Sequence, residues 1–332
     1  MISLKFKFKD STPKYKQIIE TVVNAINQNL LKKGDSLPSI NSIRDDYKVS
    51  RDTVLTAYNY LKSRGIIQSI VGKGYFVASE NVEITQKIFV LFDELNSFKE
   101  ELYHSFKSHL GQNVRVDIYF HHFNRDMFSK LIYENYGNYN YYVIMPANLK
   151  DTEQDIKTLP EHQVYILDQT NPSLSSYAGV HQNFEKDIYN NLNLVIQDLI
   201  KYSMINLVFS DTIQPLAMRN GFERFCKTHH LNYNIIDQVE AADVVENHLY
   251  IIPEDKDLLS IIKIAKQKQF VLQKDYGIIS YNDTLLKELV EGGISTISTD
   301  FNQMGAALAQ MIQNNERISI ENPCQLIIRN SF

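Results

Sequence analysis

The sequence predicts a small α+β module over residues 1–80 and a larger α/β body with parallel sheets over residues 88–332. Three observations predict it. Apolar spacing in the first 65 residues reads as three successive helices, followed by two short β-type runs. From residue 88 onward, short apolar runs alternate with amphipathic stretches, as in parallel sheets carrying helices on both faces. Charge divides at the same place. Residues 1–80 hold 13 Lys and Arg against 7 Asp and Glu, whereas the rest of the 332-residue chain holds 21 against 32. A basic module on an acidic body points to a polyanionic partner for the first part alone.

The first helix is expected over 13–32. Pro13 suits its first turn, Ser11 or Thr12 can cap it, and Tyr15, Ile18, Ile19, Val22, Ile26 and Leu30 form its apolar face, with Gly34 ending it. Ser39 then caps a short helix over 39–46 that turns Ile40 and Ile43 inward, and Tyr47-Lys48-Val49 makes a turn. Ser50 caps a third helix over 51–64 with a core stripe of Val54, Ala57, Tyr58 and Leu61, stopped by Gly65. Ile66–Val71 and Tyr75–Ala78, joined by Gly72-Lys73-Gly74, read as a hairpin. That order is the layout of a winged helix-turn-helix, whose third helix has the length to lie in a major groove.

The stretch LPSINSIRDDYKVSRDTVLTAYNYLKSRGIIQSIVGKGYFVAS resembles the DNA-binding domain of the gluconate-repressor (GntR) family. The residues that carry the resemblance are Leu37, Pro38, Ser39, Val49, Ser50, Arg51, Thr53, Val54, Ala57, Leu61, Gly65, Gly72, Gly74 and Val77. Asn41 and Leu55 stand where family members often have arginines that touch DNA. The expected DNA-binding residues are Ser39, Asn41, Arg44, Ser50, Arg51, Thr53, Lys73 and Gly74. Ser50, Arg51 and Thr53 sit at a helix N-terminus, where free N–H groups and the helix dipole favour a phosphate. The Arg51 fork can reach O6 and N7 of a guanine together. Ser39, Asn41, Arg44 and Ser50 suit phosphates, and Arg44 partly substitutes for the missing arginine at 41. Lys73 at the hairpin tip reaches a minor groove or its backbone. Ser39 and Ser50 can also act as caps alone.

Residues 81–87, within the polar stretch SENVEITQK, read as a linker. The body is expected to place strands at 88–92, 114–120, 141–145, 164–167, 205–209, 233–236, 249–252, 277–280 and 296–298. Helices are expected at 97–110, 124–136, 184–201, 213–229, 255–268, 283–291 and 302–314. Two stretches, IFVLFDELNSFKEELYHSF and GIISYNDTLLKELVEGGISTISTDFNQMGAALAQMI, resemble the effector domains of the lactose-repressor (LacI) family. That resemblance implies a periplasmic-binding-protein-like effector domain: two α/β lobes joined by three crossovers, with a small-molecule ligand between them.

Ligands of open parallel sheets lie outside the strand C-termini. Asp93, Asn96, Ser97 and Phe98 follow the first strand of the body, Pro146 to Asn148 the third, Asp168 and Gln169 the fourth, and Tyr281 and Asn282 follow 277–280. Arg219 is similar to the arginine of the family's R-x-x-G-[FW] pattern, but stands one residue closer to Gly221. The ligand-binding set is therefore Asp93, Ser97, Phe98, Asp168, Arg219, Tyr281 and Asn282. Donors and acceptors of this kind suit a sugar. Phe98 can instead be core, and Asn282 or Asp283 can instead cap helix 283–291.

No P-loop, G-x-S-x-G or H-E-x-x-H motif occurs, and neither a cofactor nor a metal is expected; His121-His122 and His229-His230 are adjacent pairs whose rings point different ways. Cys226 and Cys324 read as reduced structural thiols. No apolar run reaches the roughly 18 residues that span a membrane, and MISLKFKFKD lacks the apolar core of a signal peptide. The expectation is a cytoplasmic, non-enzymatic regulator that binds double-stranded operator DNA as a homodimer and responds to a sugar. Two alternatives stay open: a non-sugar effector, or a pyridoxal-phosphate-binding aminotransferase-like body, for which no lysine motif is apparent.

Overall fold

The computed structural model describes residues 4–8, 13–82 and 86–332. The expected caps Ser11 and Thr12 lie outside the described residues. The first module contains α1 (Lys14–Asn27), α2 (Ile40–Tyr47), α3 (Arg51–Ser63) and an antiparallel hairpin of β1 (Ile67–Ile70) and β2 (Gly74–Val77). Ile18, Val22, Ile43, Val54, Ala57, Tyr58 and Leu61 are buried in one core. Helix α1 is shorter than its apolar spacing implied. The chain leaves it at Asn27 and takes a positive φ at Asn29, which exposes Leu30 (54%) and buries Leu31 (1%) instead. Lys48, with φ +50, makes the tight turn between α2 and α3. The Tyr58 hydroxyl donates to the Pro38 carbonyl at 2.7 Å, tying α3 to the segment ahead of α2.

Two six-stranded sheets follow. The first has the order β13-β7-β6-β5-β3-β4, with β3 (Gln86–Phe92), β4 (Val114–Phe120), β5 (Tyr141–Ile144), β6 (Val164–Asp168), β7 (Ala178–His181) and β13 (Ser319–Glu321), all parallel. Its strands alternate sides as the pleat demands. Ile88, Val90 and Phe92 face α4 (Ser97–His109) and α12 (Phe301–Asn314), while Phe89 and Leu91 face α5 (Arg125–Asn135) and the short α6 (Thr152–Ile156).

The second sheet has the order β14-β12-β11-β10-β8-β9, with β8 (Met204–Val208), β9 (Tyr233–Ile236), β10 (His248–Ile252), β11 (Tyr276–Tyr281), β12 (Ser295–Thr299) and β14 (Cys324–Ile327). Its faces are covered by α7 (Phe184–Leu194) and α9 (Leu216–Thr228) on one side and α10 (Asp255–Gln267) on the other. Strand β14 runs antiparallel to β12, so this sheet is mixed, not wholly parallel as expected. The chain passes between the lobes at three places: after β7, between β12 and α12, and between β13 and β14.

Several boundaries differ from the sequence reading. Strands β7, β13 and β14 and helix α6 were not anticipated, being three to five residues long and too short to display a period. The helix expected over 184–201 breaks at Val195, whose φ is −120°, and resumes only as α8 (Ile196–Leu199). Pro215 delays the start of α9 to Leu216. Helix α11 spans Leu285–Leu289 and is capped by Thr284, so neither Asn282 nor Asp283 caps it. Strand β3 begins at Gln86, two residues inside the expected linker.

In each lobe, one helix pair packs through a glycine. A Cβ on Gly305 of α12 would lie 2.5 Å from the Leu102 carbonyl oxygen of α4, and one on Gly221 of α9 would lie 2.3 Å from the Glu185 carbonyl oxygen of α7. These contacts give the Met304-Gly305 pair and the Gly221-Phe222 pair their structural meaning.

Candidate functional site

The first module presents a helix N-terminus and a hairpin tip. The Ser50 Oγ accepts from the Thr53 N–H at 3.1 Å and shares a 2.7 Å hydrogen bond with the Thr53 hydroxyl. Ser39 Oγ likewise accepts from the Ser42 N–H at 3.0 Å. Both serines are therefore caps, and each leaves further N–H groups of its helix free for an anion. Arg51 and Asn41 are exposed on the first turns of α3 and α2. Arg44 is exposed but forks onto Asp45, at 2.7 and 3.0 Å. That contact raises the arginine and lowers the aspartate in pKa. In open solvent such a pair holds weakly and can yield to a phosphate. The hairpin turns through Gly72 (φ +73) and Gly74 (φ +104), leaving Val71 and Lys73 at an exposed tip.

The sequence reading missed the N-terminal segment. Leu4 and Phe6 are buried against the module, Phe6 and Phe8 meet the Tyr47 ring edge-on, and Lys5 and Lys7 face out. The alternation in MISLKFKFKD was the available signal for a half-buried extended segment.

The second site is a cleft between the lobes. A cavity of about 210 Å³ opens at the C-terminal ends of β3, β6, β10 and β11, and shares the lining residues Gln169, Gln182, Phe184 and Pro215 with a second of about 450 Å³. Asp93, Ser97, Phe98, Asp168, Tyr281 and Asn282 line the first, as does Gln169. Pro146, Ala147 and Asn148 line the second.

Arg219 does not join them. It sits on the outer face of α9, paired with Glu223 at 2.9 Å. One residue along a helix turns a side chain by about 100°, so the shifted register brings Met218 into the cavity in its place.

Phe98 serves both readings offered for it: its ring stacks on Phe301 at 5.0 Å while lining the cavity. Asp93 is buried in an ion pair with Lys99, which reaches back from the first turn of α4. Asp168 has φ +71, a left-handed conformation seldom adopted by a non-glycine residue, and accepts from the Gln182 side-chain amide. Burial pushes its carboxyl up, against the pull of Lys99. Asn282 also has positive φ, at +59. Strained backbone of this kind gathers at binding sites.

Sequence reasoning found Tyr281 and Asn282 in the second lobe but missed Lys287, Asp255 and Glu254 beside them. Lys287 is buried on α11 and donates to the carbonyls of Tyr281 (2.6 Å) and Asn282 (2.8 Å) and to Asp255 at 3.0 Å. Burial lowers its pKa and Asp255 opposes the shift. Glu254 follows β10 and accepts from Gln214 at 2.9 Å. The same strand-end rule that found Asp168 would have found Glu254. Gln182 was hidden because β7 was not anticipated, and nothing in the spacing marks Lys99 or Lys287 as buried. Among the described residues, no group of three or more His, Cys, Asp or Glu is placed to hold a metal, and no helix is long and apolar enough to cross a membrane.

Comparison with known proteins divides the chain at the same place. The model of bacterial regulatory proteins, gntR family, matches residues 14–77. The chain is 32% identical over 94 residues to the HTH-type transcriptional repressor YtrA of Bacillus subtilis, covering 28% of this chain and 68% of that one. It is 36% identical over 90 residues to the mannosyl-D-glycerate transport/metabolism system repressor MngR of Escherichia coli, covering 27% of this chain but 35% of that one. The body has the fold of a LacI family transcriptional regulator from Enterococcus faecium solved with bound ribose. That structure aligns with 74% of this chain and 98% of its own at 16% identity, with a TM-score of 0.59.

Proposed function

Since the chain belongs to the gntR family of bacterial regulatory proteins and is a DNA-binding transcription regulator, we propose that a sugar or sugar derivative enters its interlobe cleft and changes its affinity for operator DNA. The observation that carries this reading is the cleft itself. Its polar side chains come from both lobes at strand C-termini, with the Phe98 ring among them. Hydroxyl-rich ligands need such mixed donors and acceptors, and an aromatic face covers the apolar side of a sugar ring. The ribose in the E. faecium structure and the glycoside in the name of MngR favour the same ligand class.

A route from cleft to DNA module runs along β3. Asp93 follows its far end in the cavity, and Lys87 lies at its near end. The Lys87 stem packs against Gly65, and its backbone N–H donates to Asn140 Oδ1 at 2.7 Å. Asn140 Nδ2 in turn donates to the hydroxyl of Ser63, the last residue of α3, at 3.2 Å. A ligand that prefers one lobe spacing then biases where α3 sits, and the coupling equals its differential affinity for the two states.

Residues 1–80 form the DNA-binding unit in this reading, 81–87 the joint and 88–332 the effector unit. Ser39, Asn41, Arg44 and Ser50 contact phosphates, Arg51 and Thr53 meet the major groove, and Lys73 with Gly74 meets the minor groove. Two copies bind two half-sites as a homodimer. The test is fluorescence anisotropy of the full chain on DNA from its own upstream region, with and without a panel of monosaccharides. Specific binding that at least one sugar shifts supports the proposal, and binding that no sugar alters overturns the sugar assignment.

A further inference from the structure

The charges around the cleft do not balance. Five carboxylates and three ammonium groups line the first cavity. Two of the pairs are internal: Asp93 with Lys99 and Asp255 with Lys287. Glu94, Asp168 and Glu254 have no ion pair of their own among the described residues, although Lys99 still pulls on Asp168 and Lys287 on Glu254. Each of the three carboxylates is met by a neutral amide, from Asn96 (3.1 Å), Gln182 and Gln214 (2.9 Å) respectively. Glu94 stands at the end of β3 in the first lobe and Glu254 at the end of β10 in the second. Their like charges repel across the gap, which adds to burial in holding Glu254 up.

Buried acceptors add a second, independent sign of a missing donor. The Asn282 Oδ1 is buried with no hydrogen-bond partner. The Tyr281 hydroxyl, on a side chain 2% exposed, has no oxygen or nitrogen partner and only the Cys324 thiol beside it. Both residues line the cavity. A buried acceptor left without a donor is costly, so the cleft suits a ligand that brings hydrogens. The register shift that turns Arg219 outward removes the one guanidinium that would have offered them. The three carboxylates do not form a metal-binding group among the described residues, and the excess of carboxylates over ammonium groups in the lining suits an organic cation.

We propose that the effector is a polyol carrying a primary amine, of the amino-sugar class, whose ammonium lies between Glu94 of the first lobe and Glu254 of the second. The ammonium joins two groups that otherwise push the lobes apart, so binding favours closure. This inference rests on the cleft being the effector site. A neutral hexose would leave the repulsion in place, and a sugar phosphate would add to it.

The test uses the full chain, titrated by calorimetry and thermal shift with glucosamine, galactosamine and mannosamine, their parent hexoses, their N-acetyl derivatives, and spermidine. The expected result is that one hexosamine binds at least about tenfold more tightly than its parent or N-acetyl form, as one charge-assisted contact provides. Glu94→Gln and Glu254→Gln should each weaken that hexosamine by about tenfold and leave the N-acetyl affinity nearly unchanged. Melting of the unliganded variants verifies that these near-isosteric changes leave the fold intact. A parent hexose that binds as well as its amine overturns the charge assignment and leaves the sugar reading standing. Spermidine binding without any hexosamine overturns the polyol reading and keeps the acidic cleft as a cation site. No binding of any cationic probe at millimolar concentration overturns the proposal.

Discussion

The Asn148 side-chain amide donates to the Gln214 carbonyl oxygen at 2.5 Å, joining the loop after β5 of the first lobe to the loop ahead of α9 of the second. Both loops border the cleft, Asn148 along the second cavity and Gln214 along the first. The bond thus latches the mouth. A hydrogen bond of this kind contributes about 0.5–1.5 kcal/mol, so Asn148→Ala should open the unliganded chain. Small-angle scattering should show a larger radius of gyration, and ligand affinity should fall by a few fold. Unchanged scattering and affinity would refute the latch.

Gly305→Ala places a methyl group 2.5 Å from the Leu102 carbonyl oxygen and 2.7 Å from the Phe106 nitrogen. Backbone atoms cannot step aside as a flexible side chain can, so α12 and α4 must separate. Overpacking of this kind costs about 1–3 kcal/mol. The denaturation midpoint should fall accordingly, and a midpoint equal to the parent's would mean that the helices are looser than they stand here.

On the DNA face, Arg51→Ala and Ser50→Ala should separate recognition from folding. Arg51 is exposed, so its loss should leave melting unchanged while costing about 1–3 kcal/mol of operator discrimination. Ser50→Ala removes the cap of α3 and should lower stability by about 1 kcal/mol. Lys73→Ala should reduce the salt dependence of binding by about one counterion, with no change in sequence preference. An Arg51→Ala protein with full discrimination would move base readout to another side chain.

Asp187, near the crossover into the second lobe, is buried with one carboxylate oxygen unpartnered. Burial pushes its pKa up from 3.8 to about 6, with Glu321 adding repulsion. A carboxyl raised on folding stabilises the fold fully below its unfolded pKa, and that contribution is lost as pH rises through the folded value. Stability should therefore decline between about pH 4 and pH 6 by up to about 3 kcal/mol on this account. Asp187→Asn should abolish that portion of the slope and raise the neutral-pH melting temperature. If chemical denaturation across this range shows the same slope in both proteins, the titration belongs to another group.

The DNA module was legible in the sequence because local signals set it. Ser39 and Ser50 cap, Gly65, Gly72 and Gly74 take positive φ, and each acts within a few residues of its position. Asp93, Asp168 and Tyr281 were legible for a similar reason, since strand C-termini are found from apolar runs alone. Arg219 shows where that reasoning stops. Its type and near-motif setting pointed to the ligand, yet one residue of helical register sends it outward to Glu223 and puts Met218 inside.

What the sequence determined by itself is the order of elements, the two-part division and the residues at strand ends, because these follow from spacing, caps and turns. The tertiary structure decided which charges share the cleft. Lys99 turns back onto Asp93, Lys287 is buried under Tyr281 and Asn282, and Glu94 shares a cavity with Glu254 only because two lobes with separate sheets face one another. Coulomb interactions depend on distance through space, and no spacing along the chain encodes the distance between residues 94 and 254.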